Sequence, residues 1–170
     1  MNPATSGKVD FPALWQHVTS GVAHRPWSLH GPDHWRRVER NGRLLATRCD
    51  ADVIVVRLFA LFHDAKRENE GHDRGHGGRG AEYARELRRG WLPISDDQFE
   101  LLHFACVWHT DADRHDDPTI GACWDADRLD LGRVGVIPSA EYMSTAFGRE
   151  IAEHGTLFPW AEELRAFAEG

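Results

Sequence analysis

Residues 53–64 have the sequence VIVVRLFALFHD, an apolar run that ends in an adjacent histidine and aspartate. Its first four residues alone would suit a buried strand, but the run is long for a strand, and Asp50 or Asp52 is available as an N-cap. Both features favour a buried helix. His63 and Asp64 then place an imidazole and a carboxylate where a core helix should simply end. This placement predicts a metal site if other ligand-type side chains lie on other buried faces.

Helical periodicity continues through most of the chain, without an internal repeat. Pro32 suits the first turn of a helix, and Ser95 suits the N-cap of another. The predicted helices cover about residues 10–23, 32–48, Val53–Phe62, 76–89, 96–109, 118–132, 139–154 and 157–168. The sequence therefore predicts an all-α bundle.

Composition and charge exclude several classes of protein. The 170 residues are 41% hydrophobic, which suits a single domain over residues 1–170. A net charge of −7 argues against binding to nucleic acid polymers or anionic membranes, since both need clustered positive charge. The N-terminus has no apolar signal region, no apolar stretch approaches membrane-spanning length, and the three cysteines lack zinc-type spacing. We therefore expect a cytoplasmic protein with reduced thiols; the sequence does not specify its oligomeric state.

Side chains three or four positions apart share a helix face, which directs further ligand-type residues toward the core. His34 and His76 each begin a buried row of their helices, and His109 ends one. Asp127 lies on the apolar stripe of the sixth helix. A buried carboxylate without a partner is costly or becomes protonated, so convergence of these residues with the His-Asp pair on a cation is the simplest explanation.

Each of these residues also has an ordinary structural interpretation. A single histidine on an apolar face is more often a hydrogen-bonded core residue than a ligand, and Asp127 alone could pair with an arginine. Inward-facing ligand-type residues on five separate helices are explained more simply by one shared metal site than by separate coincidences. Asp125 lies about 200° around the helix from Asp127, so we expect it to orient a ligand histidine from behind. His30 is expected at the mouth of the site or in a surface loop.

Three motifs resemble the HD-domain superfamily of metal-dependent phosphohydrolases, in which a histidine, an adjacent His-Asp pair and a distant aspartate follow in order. HWRRV at 34–38, LFALFHD at 58–64 and DADRLD at 125–130 are similar to these elements. The resemblance covers about residues 30–135 and is strongest with small bacterial HD proteins that have no assigned substrate. Residues 136–170 are then a C-terminal helical packing segment. The resemblance implies a helical bundle with a metal site in its core and the ligands His34, His63, Asp64 and Asp127.

The number and type of metal ions follow from the same residues. Some members of the superfamily add two histidines that hold a second ion, and His76 and His109 are similar to these in order. We expect one ion, with a second at these histidines as the alternative. Imidazoles and carboxylates in an open coordination shell suit Mn, Fe, Co, Ni or Zn.

The resulting functional hypothesis is hydrolysis of a phosphate ester or anhydride of a small phosphorylated molecule, such as a nucleotide, by a metal-activated water. Positive groups must then bind the phosphate oxygens. The expected substrate-binding residues are Lys66 and Arg67, with Arg79 and Arg128 as secondary candidates that serve equally well as surface or ion-pair arginines. The expected catalytic residues are Asp64, Lys66, Arg67 and Glu68. Some nucleotidases of the superfamily have an acidic residue where this chain has Arg67, which argues against a nucleotidase.

Two alternatives from other classes remain. A di-iron oxygenase on the same scaffold would use the pair His76 and His109, and predicts bound iron, oxygen consumption and no phosphate release. A non-catalytic metal-containing sensor or binding domain predicts a metal-loaded protein that turns over no substrate.

Overall fold

The chain folds into a helical bundle. A computed structural model describes residues 7–22 and 27–167, and no described residue lies in a β-strand. The α-helices, numbered α1 to α8, are Phe11–Ser20, Pro32–Ala46, Val53–Phe62, His76–Trp91, Asp96–Trp108, Pro118–Arg128, Ala146–His154 and Ala161–Ala166. Three 3₁₀ turns lie at Leu131–Val134, Ala140–Tyr142 and Phe158–Trp160. The all-α prediction is confirmed, and none of the described helices combines the length and apolar character needed to cross a bilayer.

Helix α3 lies at the centre of the bundle, and α2, α4, α5 and α6 pack around it. Asp52 caps its N-terminus by accepting hydrogen bonds from the backbone N–H groups of Ile54 and Val55. The helix is buried on all sides from Val55 onward, apart from Arg57. Its C-terminal end therefore delivers the next two residues into the interior of the protein.

Two glycines let α4 approach its neighbours at backbone distance. A Cβ atom on Gly80 would lie 2.1 Å from the carbonyl oxygen of Phe62, at the end of α3. A Cβ atom on Gly77 would lie 2.1 Å from the carbonyl oxygen of Cys106 in α5. No side chain fits in either gap, so these glycines bring the start of α4 against the ends of α3 and α5.

Several helices are shorter than predicted. Helix α1 ends at Ser20 and α2 at Ala46, before the predicted 23 and 48; residue 23 lies outside the described part of the chain, as does residue 168. Helix α4 instead continues beyond Arg89 to Trp91.

The largest differences lie in the C-terminal third. Helix α6 ends at Arg128, not near 132, and the chain turns through Gly135, whose φ is +77°. Residues 139–145 do not continue α7, because Thr145 caps its N-terminus by accepting from the N–H of Gly148. The last predicted helix is a 3₁₀ turn followed by the short α8.

Candidate metal centre

The structure brings together all six side chains that the sequence indicates as ligands. His34 lies in the first turn of α2 and His76 is the first residue of α4, whereas His109 directly follows α5. His63 and Asp64 follow α3, and Asp127 lies in the last turn of α6. Each residue therefore lies at a helix end, and these ends meet in the core. The six side chains form two neighbouring clusters.

The first cluster consists of His34, His63 and Asp127. The Nε2 atoms of the two histidines lie 3.1 Å apart, and Oδ1 of Asp127 lies 3.2 Å from Nε2 of His34 and 3.9 Å from Nε2 of His63. Donor atoms around one ion, each about 2.1 Å from it, lie roughly 3.0–3.4 Å from one another. The first cluster is thus compact enough to hold a metal ion.

The second cluster consists of Asp64, His76 and His109. The Nε2 atoms of its histidines lie 3.0 Å apart, and Oδ1 of Asp64 lies 3.1 Å from Nε2 of His76 and 4.0 Å from that of His109. The other oxygen of Asp64, Oδ2, lies 3.8 Å from Nε2 of both histidines in the first cluster. The Asp64 carboxylate therefore lies between the two clusters and offers one oxygen to each.

Hydrogen bonds on the far side of each imidazole fix which nitrogen carries the proton. The carbonyl oxygens of Phe59, Cys106 and Asp73 accept from Nδ1 of His63, His109 and His76 respectively. The Asp130 carboxylate accepts from Nδ1 of His34 at 2.7 Å. Since a carbonyl or ionised carboxylate can only accept, Nδ1 carries the proton in all four rings, and in a neutral ring Nε2 presents a lone pair.

Lone pairs consequently point at one another across each cluster. Two unprotonated Nε2 atoms at 3.0 or 3.1 Å repel unless a positive charge lies between them. In the first cluster, the buried Oδ1 of Asp127 also has no hydrogen bond within the described part of the chain. The donor set therefore fits a divalent transition metal, held by neutral imidazoles and ionised carboxylates.

The electrostatics of the site keep His63, His109 and Asp64 in the form that a metal requires. Burial lowers the pKa of His63 to about 4 and also lowers the pKa of His109, so both rings are uncharged at neutral pH. Burial opposes ionisation of Asp64, but the adjacent His63 and hydrogen bonds from His30 and His76 hold its pKa well below the usual range. Despite burial, the nearby carboxylates of Asp127 and Asp130 raise the pKa of His34, and Asp64 and the carbonyl of Asp73 raise that of His76, so protons compete with a metal for these two rings.

No family model matches the chain, and no curated protein matches it significantly. Among solved structures, it is similar to the crystal structure of a predicted HD superfamily hydrolase from an uncultured Thermotogales bacterium. The two chains are 28% identical, with a TM-score of 0.66 over 94% of this chain and 92% of the other. This chain has the HD-domain fold. The likeness and the buried clusters support a metal-dependent hydrolase at the level of the superfamily.

A cavity of about 980 Å³ opens beside the candidate metal centre of this HD domain. Asp64 and His30 line its inner end, and Nδ1 of His30 lies 3.1 Å from Oδ2 of Asp64. His30 thus lies at the mouth of the site, one of the two predicted positions. The cavity also contains four of the charged residues predicted for substrate binding or catalysis: Lys66, Arg67, Glu68 and Arg79.

These four residues differ in how freely they can meet a substrate. The ammonium group of exposed Lys66 lies 3.8 Å from the ring centroid of Tyr83, and Glu68 has a side chain that is 72% exposed. Arg79 donates to both carboxylate oxygens of Asp73, at 2.7 and 2.8 Å. Lys66 and Glu68 are therefore available to a ligand, whereas Arg79 is held by its ion pair and Arg67 by the carbonyl groups of Asn69 and Gly71.

Two predicted residues of the HD domain lie away from the site. The guanidinium of Arg128 donates to the backbone carbonyls of Ala112, Asp113 and Tyr142, so it joins loops and does not reach the cavity. Asp125 was expected to orient a ligand histidine, and this is wrong. Its carboxylate accepts from the N–H groups of Ser144 and Thr145 and from the Thr145 hydroxyl, and so anchors the start of α7.

Sequence reasoning missed two polar residues beside the first cluster. Asp130 orients His34 and is itself bound by Arg37, whose Nε lies 2.7 Å from Oδ1 of Asp130. Arg133 lies 3.8 Å from Asp127 and donates to the carbonyl of Leu29. The DADRLD motif contains Asp130 but gives no sign that it lies beyond the helix end, and no sequence signal marks Arg133.

The contact between Asp130 and His34 leads to a prediction on metal affinity. We expect Asp130→Ala to weaken metal binding about 10–100-fold, because His34 loses the acceptor that fixes its ring and its tautomer. Isothermal titration of the metal-free protein with Mn²⁺ measures this change. Arg37→Met is the matched control, since it removes the other partner of Asp130 and leaves the acceptor in place. Equal affinities for Asp130→Ala and the wild type would contradict the assignment.

Proposed function

We propose that this protein is a metal-dependent phosphohydrolase that cleaves a phosphate ester or anhydride of a small phosphorylated molecule. The observation that carries the proposal is the convergence of unprotonated Nε2 atoms on two carboxylates, at distances that suit metal binding. A divalent ion in the first cluster would polarise a phosphoryl oxygen and lower the pKa of a bound water. Asp64 holds this centre at the inner end of an open cavity, where a substrate can reach it.

Two cations in the lining of the cavity support phosphate as the reacting group. Lys66 and Arg67 directly follow Asp64 and line the cavity together with it. Phosphoryl transfer needs positive charge around the oxygens that do not react. The exposed ammonium group of Lys66 can contact these oxygens, and the guanidinium of Arg67 adds positive charge from a position held by its own loop. Glu68 lies beside them with an exposed carboxylate, so it is the candidate that exchanges a proton with the leaving group.

The cavity lining also contains carboxylates, which limit the substrate. They belong to Asp33, Glu70, Glu82 and Glu86. Carboxylates in the lining disfavour the binding of a polyphosphate. They favour a substrate with hydroxyl or amino groups, which can donate hydrogen bonds to them. We therefore propose a monophosphate whose remaining part carries hydroxyl or amino groups, such as a sugar phosphate.

A phosphate-release screen tests this function. Sugar monophosphates, amino-sugar monophosphates and nucleoside mono- and triphosphates are each incubated with the protein and Mn²⁺, Fe²⁺, Co²⁺, Ni²⁺ or Zn²⁺. We expect kcat/KM to be at least about tenfold higher for a hydroxylated monophosphate than for triphosphates. A chelator should abolish turnover, and re-addition of metal should restore it. His63→Ala with wild-type turnover would exclude this site as the catalytic centre.

The oxygenase alternative remains testable because the four histidines and two carboxylates would also suit a pair of iron ions. The cations that line the cavity favour the phosphohydrolase, since oxygen activation has no need of Lys66. Oxygen consumption by the iron-loaded protein, without phosphate release from any compound in the screen, would support the oxygenase.

A further inference from the structure

Lysine is rare in this chain: of the 20 lysine and arginine residues, only Lys8 and Lys66 are lysines. Lys66 is exposed and lies in the cavity lining, two residues after Asp64. An ammonium group is a compact charge with three N–H donors that rotate freely, whereas a guanidinium donates in a fixed plane. Lys66 therefore offers the cavity a kind of cation that the arginines do not.

An aromatic ring holds this ammonium group. Nζ of Lys66 lies 3.8 Å from the ring centroid of Tyr83, and within the described part of the chain no acceptor or carboxylate binds it. Arg67 and Arg79, by contrast, donate to carbonyl or carboxylate oxygens. The negative face of a ring attracts a cation without neutralising it. The ammonium group thus keeps its charge and at least two free N–H groups for a ligand.

The packing of α4 against the end of α3 places the ring of Tyr83 beside Lys66. An added Cβ on Gly80 would lie 2.1 Å from the carbonyl oxygen of Phe62, so the two backbones are in contact there. Tyr83 comes three residues after Gly80 on the same helix face, and its ring meets the ring of Phe62 edge-on, with centroids 5.9 Å apart. Lys66 follows Phe62 by four residues, so this contact fixes the ring next to the lysine.

We infer that Tyr83 is a positioning residue for phosphate binding, which holds the Lys66 ammonium group in the cavity with N–H groups free to donate. This inference rests on the proposed phosphohydrolase function. A lysine side chain has many rotamers, and ordering it when a phosphate arrives lowers the affinity. Tyr83 favours one arrangement before the substrate binds. It acts on substrate binding and not on the metal-activated water, so it affects KM and not kcat.

A double-mutant cycle tests whether the ring acts through the lysine. Initial rates are measured with the best substrate of the phosphate-release screen. Tyr83→Leu should raise KM about two- to fivefold, the range expected for an exposed cation–π contact, with kcat unchanged. Tyr83→Phe keeps the ring and should match the wild type. In a Lys66→Met background, Tyr83→Leu should change KM no further.

Nuclear magnetic resonance of protein labelled with ¹³C-lysine tests the contact without any measurement of turnover. The chain has two lysines, so Lys66→Met identifies the Lys66 signals. The ε-CH₂ protons of Lys66 should lie upfield of those of Lys8, because the ring current of Tyr83 shields groups above its face. Tyr83→Leu should remove this difference, and Tyr83→Phe should keep it. Inorganic phosphate, added to protein loaded with diamagnetic Zn²⁺, should shift the Lys66 signals and leave those of Lys8 in place.

Three results would overturn the inference. The first is a wild-type Lys66 signal at the position of Lys8, which decides the contact even if Tyr83→Leu fails to fold. The second is an equal KM for the wild type and Tyr83→Leu. The third is a further rise of KM on Tyr83→Leu in the Lys66→Met background, since the ring would then contact the substrate directly. Absence of phosphate release from every compound in the screen would instead refute the proposed function, and the wild-type Lys66 signal would still report on the contact.

Discussion

Asp64→Asn should lower phosphate release at least about a hundredfold and remove the tightly bound metal ion. The carboxylate lies within 4.0 Å of the Nε2 atoms of all four histidines and offers one oxygen to each cluster. An amide keeps the size of the side chain but carries no charge, and its nitrogen is not a metal ligand. Elemental analysis of the purified variant and initial rates in the screen measure both effects.

Asp116→Asn provides the control, because it makes the same chemical change in an exposed loop. It should match the wild type in metal content and turnover. Retention of metal and of turnover by Asp64→Asn would show that this carboxylate is not a ligand. The unfolding midpoint of each variant separates loss of the ligand from loss of the fold.

Gly80→Ala should destabilise the protein by about 3 kcal/mol and lower its unfolding midpoint by roughly 6–12 °C. The added Cβ would lie 2.1 Å from the carbonyl oxygen of Phe62, which is backbone and cannot rotate away. Helix α4 would have to move off the end of α3. Since His76 begins α4 and His63 follows α3, this shift should also weaken metal binding. Thermal unfolding followed by circular dichroism gives the first effect, and Mn²⁺ titration gives the second.

The same helix offers a matched control in Gly78, where an added Cβ would meet no atom within 4 Å. Gly78→Ala should raise the free energy of unfolding by about 0.5–1 kcal/mol, because alanine favours helix more than glycine does. The two substitutions are chemically identical and two residues apart. If both variants were destabilised by a similar amount, crowding of the added Cβ at Gly80 would not be the cause of the loss.

The ligand set was accessible from the sequence because it depends on local regularities. A 3.6-residue period fixes which side chains share a face, so His34 and Asp127 could be placed inward without knowing how the helices pack. The same reasoning placed His76 and His109 on buried faces at the ends of their helices. Periodicity says nothing about distance between helices, and it could not show that Asp64 lies between two clusters.

The errors arose where a helix ended earlier than the periodicity indicated. Because α6 ends at Arg128, Asp130 leaves the helical path and reaches Nδ1 of His34, a contact that no face argument could find. Asp125 was given this supporting role because it lies behind Asp127 on the helix, but the N-terminus of α7 takes its carboxylate. Arg128 was judged by its position beside Asp127, whereas carbonyl groups of distant loops decide its direction.

The carbonyl anchors of His63, His76 and His109 have a consequence for how fast and how tightly an ion is captured. Each ring is held by a backbone oxygen three or four residues away, so its rotamer is set once the local backbone at that helix end has formed. The side-chain entropy of these three ligands is therefore lost during folding and not when the ion arrives. Metal-free protein should accordingly capture its ion at a rate limited by ligand exchange on the ion itself, with no slow rearrangement of the protein.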